Sequence, residues 1–302
     1  MATNSESRRE GSNPYRNAAE VIQARPTIEG AGVHLKRAFG EASPKLDPFL
    51  LLDDFRSENP TDYIAGFPWH PHRGIETVTY MLDGKVEHGD SIGNTGVIGP
   101  GDVQWMSSGS GIIHQEMPKG INKAMGGFQL WVNLPKTQKM MDPRYQEFRS
   151  AQIPVVEPSD GVRVKIVAGK LGEVRGPVQE ISVEPEYLDI EMAPHTRFEH
   201  KATPGHTMLS YIVGGRAAFD EEGRDGIPEG NLVILSDGAR VRVSTGGEKA
   251  RLLLVSGRPL REPVAWWGPI VMNNRRELET AIEEYQNGTF IKVGKDRRKA
   301  VA

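Results

Sequence analysis

The 302-residue chain contains no cysteine, which excludes disulfides, thiolate metal sites and cysteine nucleophiles. Any metal must therefore be held by histidine and carboxylate. No stretch reaches the roughly 18 consecutive apolar residues that a membrane-spanning helix needs, and the first twenty residues, MATNSESRREGSNPYRNAAE, lack an apolar signal core. The chain is expected in the cytoplasm or nucleus. An excess of one charge sign is also missing: 37 Lys and Arg against 40 Asp and Glu leave a formal charge of -3. That balance excludes the basic stripe of a direct nucleic-acid binder and any general affinity for anionic membranes. The basic end, KVGKDRRKAVA, reads as a solvated tail more readily than as a nuclear-import or anion-binding signal.

Glycine and proline, by contrast, are plentiful and fall in turn signals such as LDGK, GNTG, GPGD, SDGA and STGGE. Between them lie short segments that alternate apolar and polar residues. In GGFQLWVNLP, Phe128, Leu130, Val132 and Leu134 share one face and Gln129, Trp131 and Asn133 the other, the period of a half-buried strand. EYLDIEM, with Leu188, Ile190 and Met192, and GVRVKIV, with Val162, Val164 and Ile166, read the same way. The predicted class is all-β, a sandwich or barrel. One helix is expected near the end, where Leu278, Ala281, Ile282 and Tyr285 follow helical spacing, Asn274 and Glu277 form a capping box and Gly288 supplies the stop.

An internal repeat sets the organisation. TVTYMLDGKVEHGDSIGNTGVIGPGDVQWM and MLSYIVGGRAAFDEEGRDGIPEGNLVIL share a strand ending in Tyr, a Gly turn, a polar loop and a second Gly turn into another strand. Tyr80 and Gly84 map onto Tyr211 and Gly215 at a constant shift of 131. Two similar barrels are expected, joined near IPVVEPSDG. The expected divisions are a disordered tail over 1–20, an N-terminal metal-binding barrel over 21–150, a C-terminal barrel without metal over 151–270, and a helix with a basic tail over 271–302.

Only eight residues are histidine, yet FPWHPHRGIETVTY places His70 and His72 one residue apart, and SSGSGIIHQEM repeats that spacing with His114 and Glu116. Residues i and i+2 of a strand share a face. Pro71 cannot donate to a sheet ladder, so its segment should be a strand start or an edge. If the two strands face each other across a small barrel, four ligand atoms converge inside it. A lone histidine on a strand is more often a hydrogen-bonded core residue than a ligand; two such pairs are not well explained that way. The second copy lacks them, since the shift carries His70, His72 and Glu76 onto Lys201, Thr203 and Thr207. His195, His200 and His206 lie near the mouth of that second barrel, and their spacing fits no ligand pattern; surface or hydrogen-bonding roles are expected.

GFPWHPHRGIETVTYMLDG and GPGDVQWMSSGSGIIHQEMP resemble the two cupin motifs in the form found in pirin proteins. LDPFLLLDDF, GGFQLWVNLP, GRPLREPV and GPIVMNN are similar to further pirin segments, so the resemblance spans about residues 30 to 290. It implies a bicupin, two tandem cupin-type β-barrels with a short C-terminal helix, one mononuclear iron in the first barrel and none in the second. The family's ligands carry over onto His70, His72, His114 and Glu116. In the general cupin pattern the acidic ligand follows the second histidine by four or five residues, which is where Glu76 sits; the pirin pattern favours Glu116 and leaves Glu76 to orient a ligand histidine. Trp69 and Gln115 should point away from the metal, toward the rim.

Three imidazoles and a carboxylate leave open positions for dioxygen and a substrate oxygen. Fe(2+) is the expected metal, although Ni, Mn, Cu and Zn suit the same ligands. The activity implied is a quercetin 2,3-dioxygenase-like reaction on a flavonol or other enol-bearing small molecule, with Glu116 or Glu76 taking the hydroxyl proton. The alternative is a non-catalytic, iron-dependent and redox-responsive co-regulator that binds a transcription factor and not nucleic acid.

Overall fold

The computed structural model describes residues 14–120, 124–220 and 226–293. In chain order the first half forms β1 (Tyr15–Arg16), β2 (Ala18–Gln23), β3 (Arg25–Glu29), β4 (Val33–Gly40), β5 (Phe49–Asp54), β6 (Phe67–His72), β7 (Ile75–Asp83), β8 (Val86–Asp90), β9 (Thr95–Ile98), β10 (Val103–Ser107), β11 (Ile112–Pro118), β12 (Gly126–Asn133) and β13 (Arg144–Phe148). A seven-stranded antiparallel sheet runs β13-β10-β7-β12-β5-β4-β3, and a four-stranded sheet, β6-β11-β8-β9, closes the first barrel. The second barrel pairs an eight-stranded sheet, centred on Glu186–Met192, Ala250–Gly257 and Thr207–Ala217, with a three-stranded one. The two-barrel, nearly all-β expectation thus holds.

Alternation decides which face of each large sheet meets the other. Phe128 and Leu130 of β12, Leu52 of β5 and Val78 and Tyr80 of β7 pack with Tyr187, Leu209, Tyr211, Leu253 and Val255 of the second half in one continuous core. The neighbouring residues in the second half, among them Val164, Ile166, Leu188, Ile190, Leu252 and Leu254, turn the other way and fill the interior of that barrel with aliphatic side chains. The core between the barrels is apolar, yet it carries two reciprocal polar locks. The Tyr80 hydroxyl donates to Asp189 Oδ2 at 2.7 Å, and Arg251 holds that carboxylate through two bonds of 2.9 and 2.7 Å. The Tyr211 hydroxyl donates to Asp54 Oδ2 at 2.9 Å, and Arg56 holds Asp54 in the same two-pronged way at 2.8 and 2.7 Å. The repeat's matching tyrosines therefore reach across to each other's barrel. Burial of each phenol, with an anionic partner opposite, pushes both tyrosines above their ordinary range.

The expected tail over 1–20 needs correction in its second part. β2 adds to the sheet of the second barrel by pairing with Asn231–Leu235, and β1 runs parallel to Arg240–Ser244. Arg16 explains the anchoring: it is fully buried and its guanidinium donates to the carbonyls of Gly238, His206, Ser236 and Thr203. The chain thus covers a sheet edge of the second barrel before it crosses to build the first. Residues 1–13, and most of the basic tail, lie outside the described residues.

The C-terminal helix α1 (Arg275–Gln286) starts as expected, with Asn274 Oδ1 accepting from Glu277 N at 3.0 Å, and Gly288 stands at φ +68°. The reciprocal arm of the box lands one residue earlier, because Glu277 accepts from Asn273 N. The segment around the helix folds back onto the first barrel. Arg73, buried beside His72, donates to Glu284 and to the Phe290 carbonyl, both at 2.7 Å, with its guanidinium 4.1 Å from the Phe290 ring centre. Gly74 meets the Val271 carbonyl so closely that a Cβ there would stand 2.0 Å from it, and its φ of +78° suits glycine. Lys139 completes the clasp by donating to the carbonyls of Gly74 and Val271 and to Asn133.

Replacing Tyr211 or Tyr80 by Phe should lower stability by about 1–2 kcal/mol each, because a buried carboxylate loses one donor. The two locks share no hydrogen-bond partner, so the double variant should show the sum within about 0.5 kcal/mol. Thermal or denaturant unfolding reads both; a double variant no weaker than either single one would show that the locks act as one unit.

Candidate metal centre

β6 and β11 are hydrogen-bonded antiparallel neighbours, with His114 opposite His70 and Ile112 opposite His72. The expectation that the two histidine segments face each other across the barrel is thereby corrected. They converge as adjacent strands on one sheet face, a shorter route to the same result. β6 lies at the sheet edge, as its two prolines require, since neither can donate to a ladder. A register irregularity between His114 and Glu116 follows on the β6 side, while β11 stays regular against β8, where Glu116 faces His88.

One ring nitrogen or more from each of His70, His72 and His114 comes within 4.8 Å of the others, the one such group of three or more potential ligands among the described residues. His70 Nδ1 lies 2.8 Å from the Pro68 carbonyl and must carry the proton, which leaves Nε2 as a lone pair. That lone pair faces His72 Nε2 at 3.0 Å. His114, almost fully buried, has no hydrogen-bond partner on either ring nitrogen, and His72 has none on Nδ1. Burial, above all, holds His72 and His114 well below the usual histidine range, so both are neutral at neutral pH. A buried His114 with neither ring nitrogen partnered, beside the paired rings of His70 and His72, fits a cation as the missing partner.

The two glutamates are placed differently. Glu116 is not in the three-histidine group; Thr79 Oγ1 stands 3.0 Å from its Oε1 and holds the carboxylate at the cavity wall. Glu76 is buried and accepts from Ser107 Oγ at 2.6 Å, with burial pushing its carboxyl upward. The expected bond from Glu76 to a ligand histidine is replaced by that serine, because β7 pairs Glu76 with Ser107 across the sheet. Nor does Glu76 reach the cavity wall.

His70 and His72 open onto a cavity of about 580 Å³. Its walls are largely apolar, with Leu35, Leu51, Phe55, Val86, Met125 and Trp131 among them. Trp131 stands edge-on to His72 at 5.4 Å and is followed by Trp266 at 6.0 Å. Trp69, about half exposed, lies at the rim as expected. Trp266, Gly268 and Pro269 reach this wall from the second half of the chain, a contribution that no local pattern around the histidines announces. In the second barrel His200 is buried against Glu186 at 3.2 Å and His195 is exposed, in line with the hydrogen-bonding and surface roles expected.

Comparison with known proteins fits this geometry. The pirin family model matches residues 32–132 and the pirin C-terminal cupin domain residues 187–291. A pirin-like protein of Caulobacter vibrioides is 42% identical over 279 residues, covering 92% of this chain and 100% of that one. Human pirin is 38% identical over 283 residues, covering 92% and 94%. Among solved structures, quercetin 2,3-dioxygenase from Acinetobacter baumannii superposes with a TM-score of 0.84 at 29% identity, over 93% of this chain and 100% of that one. With both barrels matched and relatives aligned along nearly the whole length, the chain belongs to the pirin family.

Proposed function

We propose that this protein is an iron(II)-dependent dioxygenase of a flavonol or another enol-bearing small molecule. The observation that carries the reading is the meeting of three imidazoles, two of them on the wall of a largely apolar cavity with room for a small aromatic molecule. The likeness to the solved structure of quercetin 2,3-dioxygenase from Acinetobacter baumannii supports it. His70, His72 and His114 would hold the metal, with Glu116 as the fourth ligand once it leaves Thr79. Iron(II) bound there would supply one-electron chemistry toward dioxygen and a Lewis-acidic contact for the enol oxygen. Nickel, manganese, copper and zinc suit the same donors.

The chain's own residues do the rest. Trp131 and Trp266 flank the histidines with ring surfaces that can hold a planar ligand, and the apolar walls keep bulk water away from it. Glu116 is the carboxylate on the cavity wall beside the histidines, and in this reading it takes the proton of the enol hydroxyl. Glu76 drops out of that role because Ser107 and burial keep it away from the cavity. No observation in the structure favours the transcription co-regulator reading over this one.

Anaerobically iron-loaded protein should bind about one metal per chain and consume dioxygen when quercetin is added, while His114→Ala should lose both metal and uptake. Metal analysis and an oxygen electrode read these results; uptake that persists in a metal-free His114→Ala protein would end the proposal. Glu116→Gln at saturating iron should keep its metal and lose about a hundredfold or more of the uptake rate. An unchanged rate would remove Glu116 as the base.

A further inference from the structure

A polar rung crosses the largely apolar cavity wall. Thr79 of β7 pairs with Gln129 of β12, Gln129 with Asp53 of β5, and Asp53 with Arg37 of β4, so four side chains stand level on four adjacent strands. All four line the cavity. Neighbouring strands lie about 4.8 Å apart, so the rung extends about 14 Å away from the Glu116 end, comparable with the long axis of a three-ring planar molecule. Sheet faces that enclose an apolar ligand do not need such a row.

The hydrogen-bond capacity of the rung is not used up by the protein. Thr79 Oγ1 stands 3.0 Å from Glu116 Oε1 and 2.8 Å from the Gln129 amide oxygen, but its single proton serves one of them. While Glu116 takes that proton, the Gln129 amide turns its nitrogen to donate to Thr79 and leaves its carbonyl to the cavity. Once Glu116 moves to a metal, the proton passes to the Gln129 oxygen and the amide nitrogen is left to the cavity. In both arrangements one half of the amide awaits a partner. Further along, Arg37 gives Nε and Nη2 to Asp53 and Nη1 to Glu29, each at 2.8 Å, which leaves two guanidinium protons unused. Asp53 is buried and accepts one bond on each oxygen, so each retains a lone pair.

We propose that the rung Thr79–Gln129–Asp53–Arg37 recognises hydroxyl groups on the part of a planar polyphenol farthest from the metal, so that distal hydroxylation, and not the enol alone, selects the substrate. Gln129 and the Arg37–Asp53 pair are then specificity-determining residues. The proposal rests on the flavonol reading above and adds to it the substrate's hydroxylation pattern. An aliphatic enol, or a flavonol bare on its distal rings, would leave the rung's buried and half-buried groups without partners and bind less well.

Calorimetric titration of protein loaded with redox-inert Zn(2+) separates binding from turnover, with quercetin and 3-hydroxyflavone as probes. The wild type should prefer quercetin by about tenfold or more, one to two hydrogen bonds' worth. Gln129→Met and Arg37→Lys should each reduce the ratio of the two affinities several-fold, and a ratio is insensitive to a fraction of inactive protein. Equal binding of the two flavonols by the wild type, or a preference that survives both variants, would overturn the rung as a selector and leave the dioxygenase reading standing. Failure of both flavonols to bind would overturn the two together.

Discussion

The structure depends on the alternation of side chains along the central strands of the seven-stranded sheet. Phe128 and Leu130 enter the core shared with the second barrel, while Gln129 and Trp131 between them face the cavity. A one-residue slip would exchange the two sets, placing an amide in the dry core and a phenyl ring at the metal wall. The reciprocal locks oppose that slip. Tyr80 and Tyr211 reach buried carboxylates only in this register, and each carboxylate is already oriented by a two-pronged arginine. Sheet register, barrel docking and cavity composition are therefore one constraint seen at three places.

The histidine triad was legible because its signal is local. Two one-residue spacings suffice to put side chains on a common face, and the residues are rare enough in this chain to stand out. The positions that needed tertiary information were less visible. Gln129 and Trp131 carry the pattern of a solvent-facing edge of a strand, and nothing within β12 distinguishes an exposed face from one that lines an enclosed space. The tyrosines at 80 and 211 marked the repeat, but their partners Asp54 and Asp189 lie in segments too far away in sequence to pair by spacing. Glu76 fitted the general cupin spacing and yet belongs to Ser107, because the strand pairing of β7 with β10 decides the matter. Residues 15–20 looked like part of a polar tail since their anchor is one buried arginine rather than an apolar run.

The two barrels share a scaffold and differ in what fills it. In the repeat Thr79 corresponds to Ser210, which donates to the Leu253 carbonyl instead of supporting a carboxylate. Around Ser210 the interior of the second barrel is packed with valine, isoleucine, leucine and phenylalanine. An interior filled in that way contributes stability by burying apolar area. The first barrel keeps Asp53, Thr79 and Gln129 at the corresponding wall and leaves the space beside them open. The division of labour between barrels thus follows from side-chain volume and polarity on a common strand arrangement.

That division also explains why the filled barrel stays attached. Trp266, Gly268 and Pro269, all from the second half, close part of the cavity beside His72. The segment that carries them is held by Lys139, by the close approach of Val271 to Gly74, and by Arg73 gripping Glu284 and Phe290. Arg73 and Gly74 follow His72 directly in sequence, so the contacts that seat this wall also fix the backbone that aims a ligand. A first barrel alone would lack Trp266, Gly268 and Pro269 on this wall and leave the cavity beside His72 more open to water. Among the described residues the second half adds no member to the group of three histidines, yet through this segment it covers part of the cavity, and partial exclusion of water strengthens the electrostatic and hydrogen-bonding contacts within it.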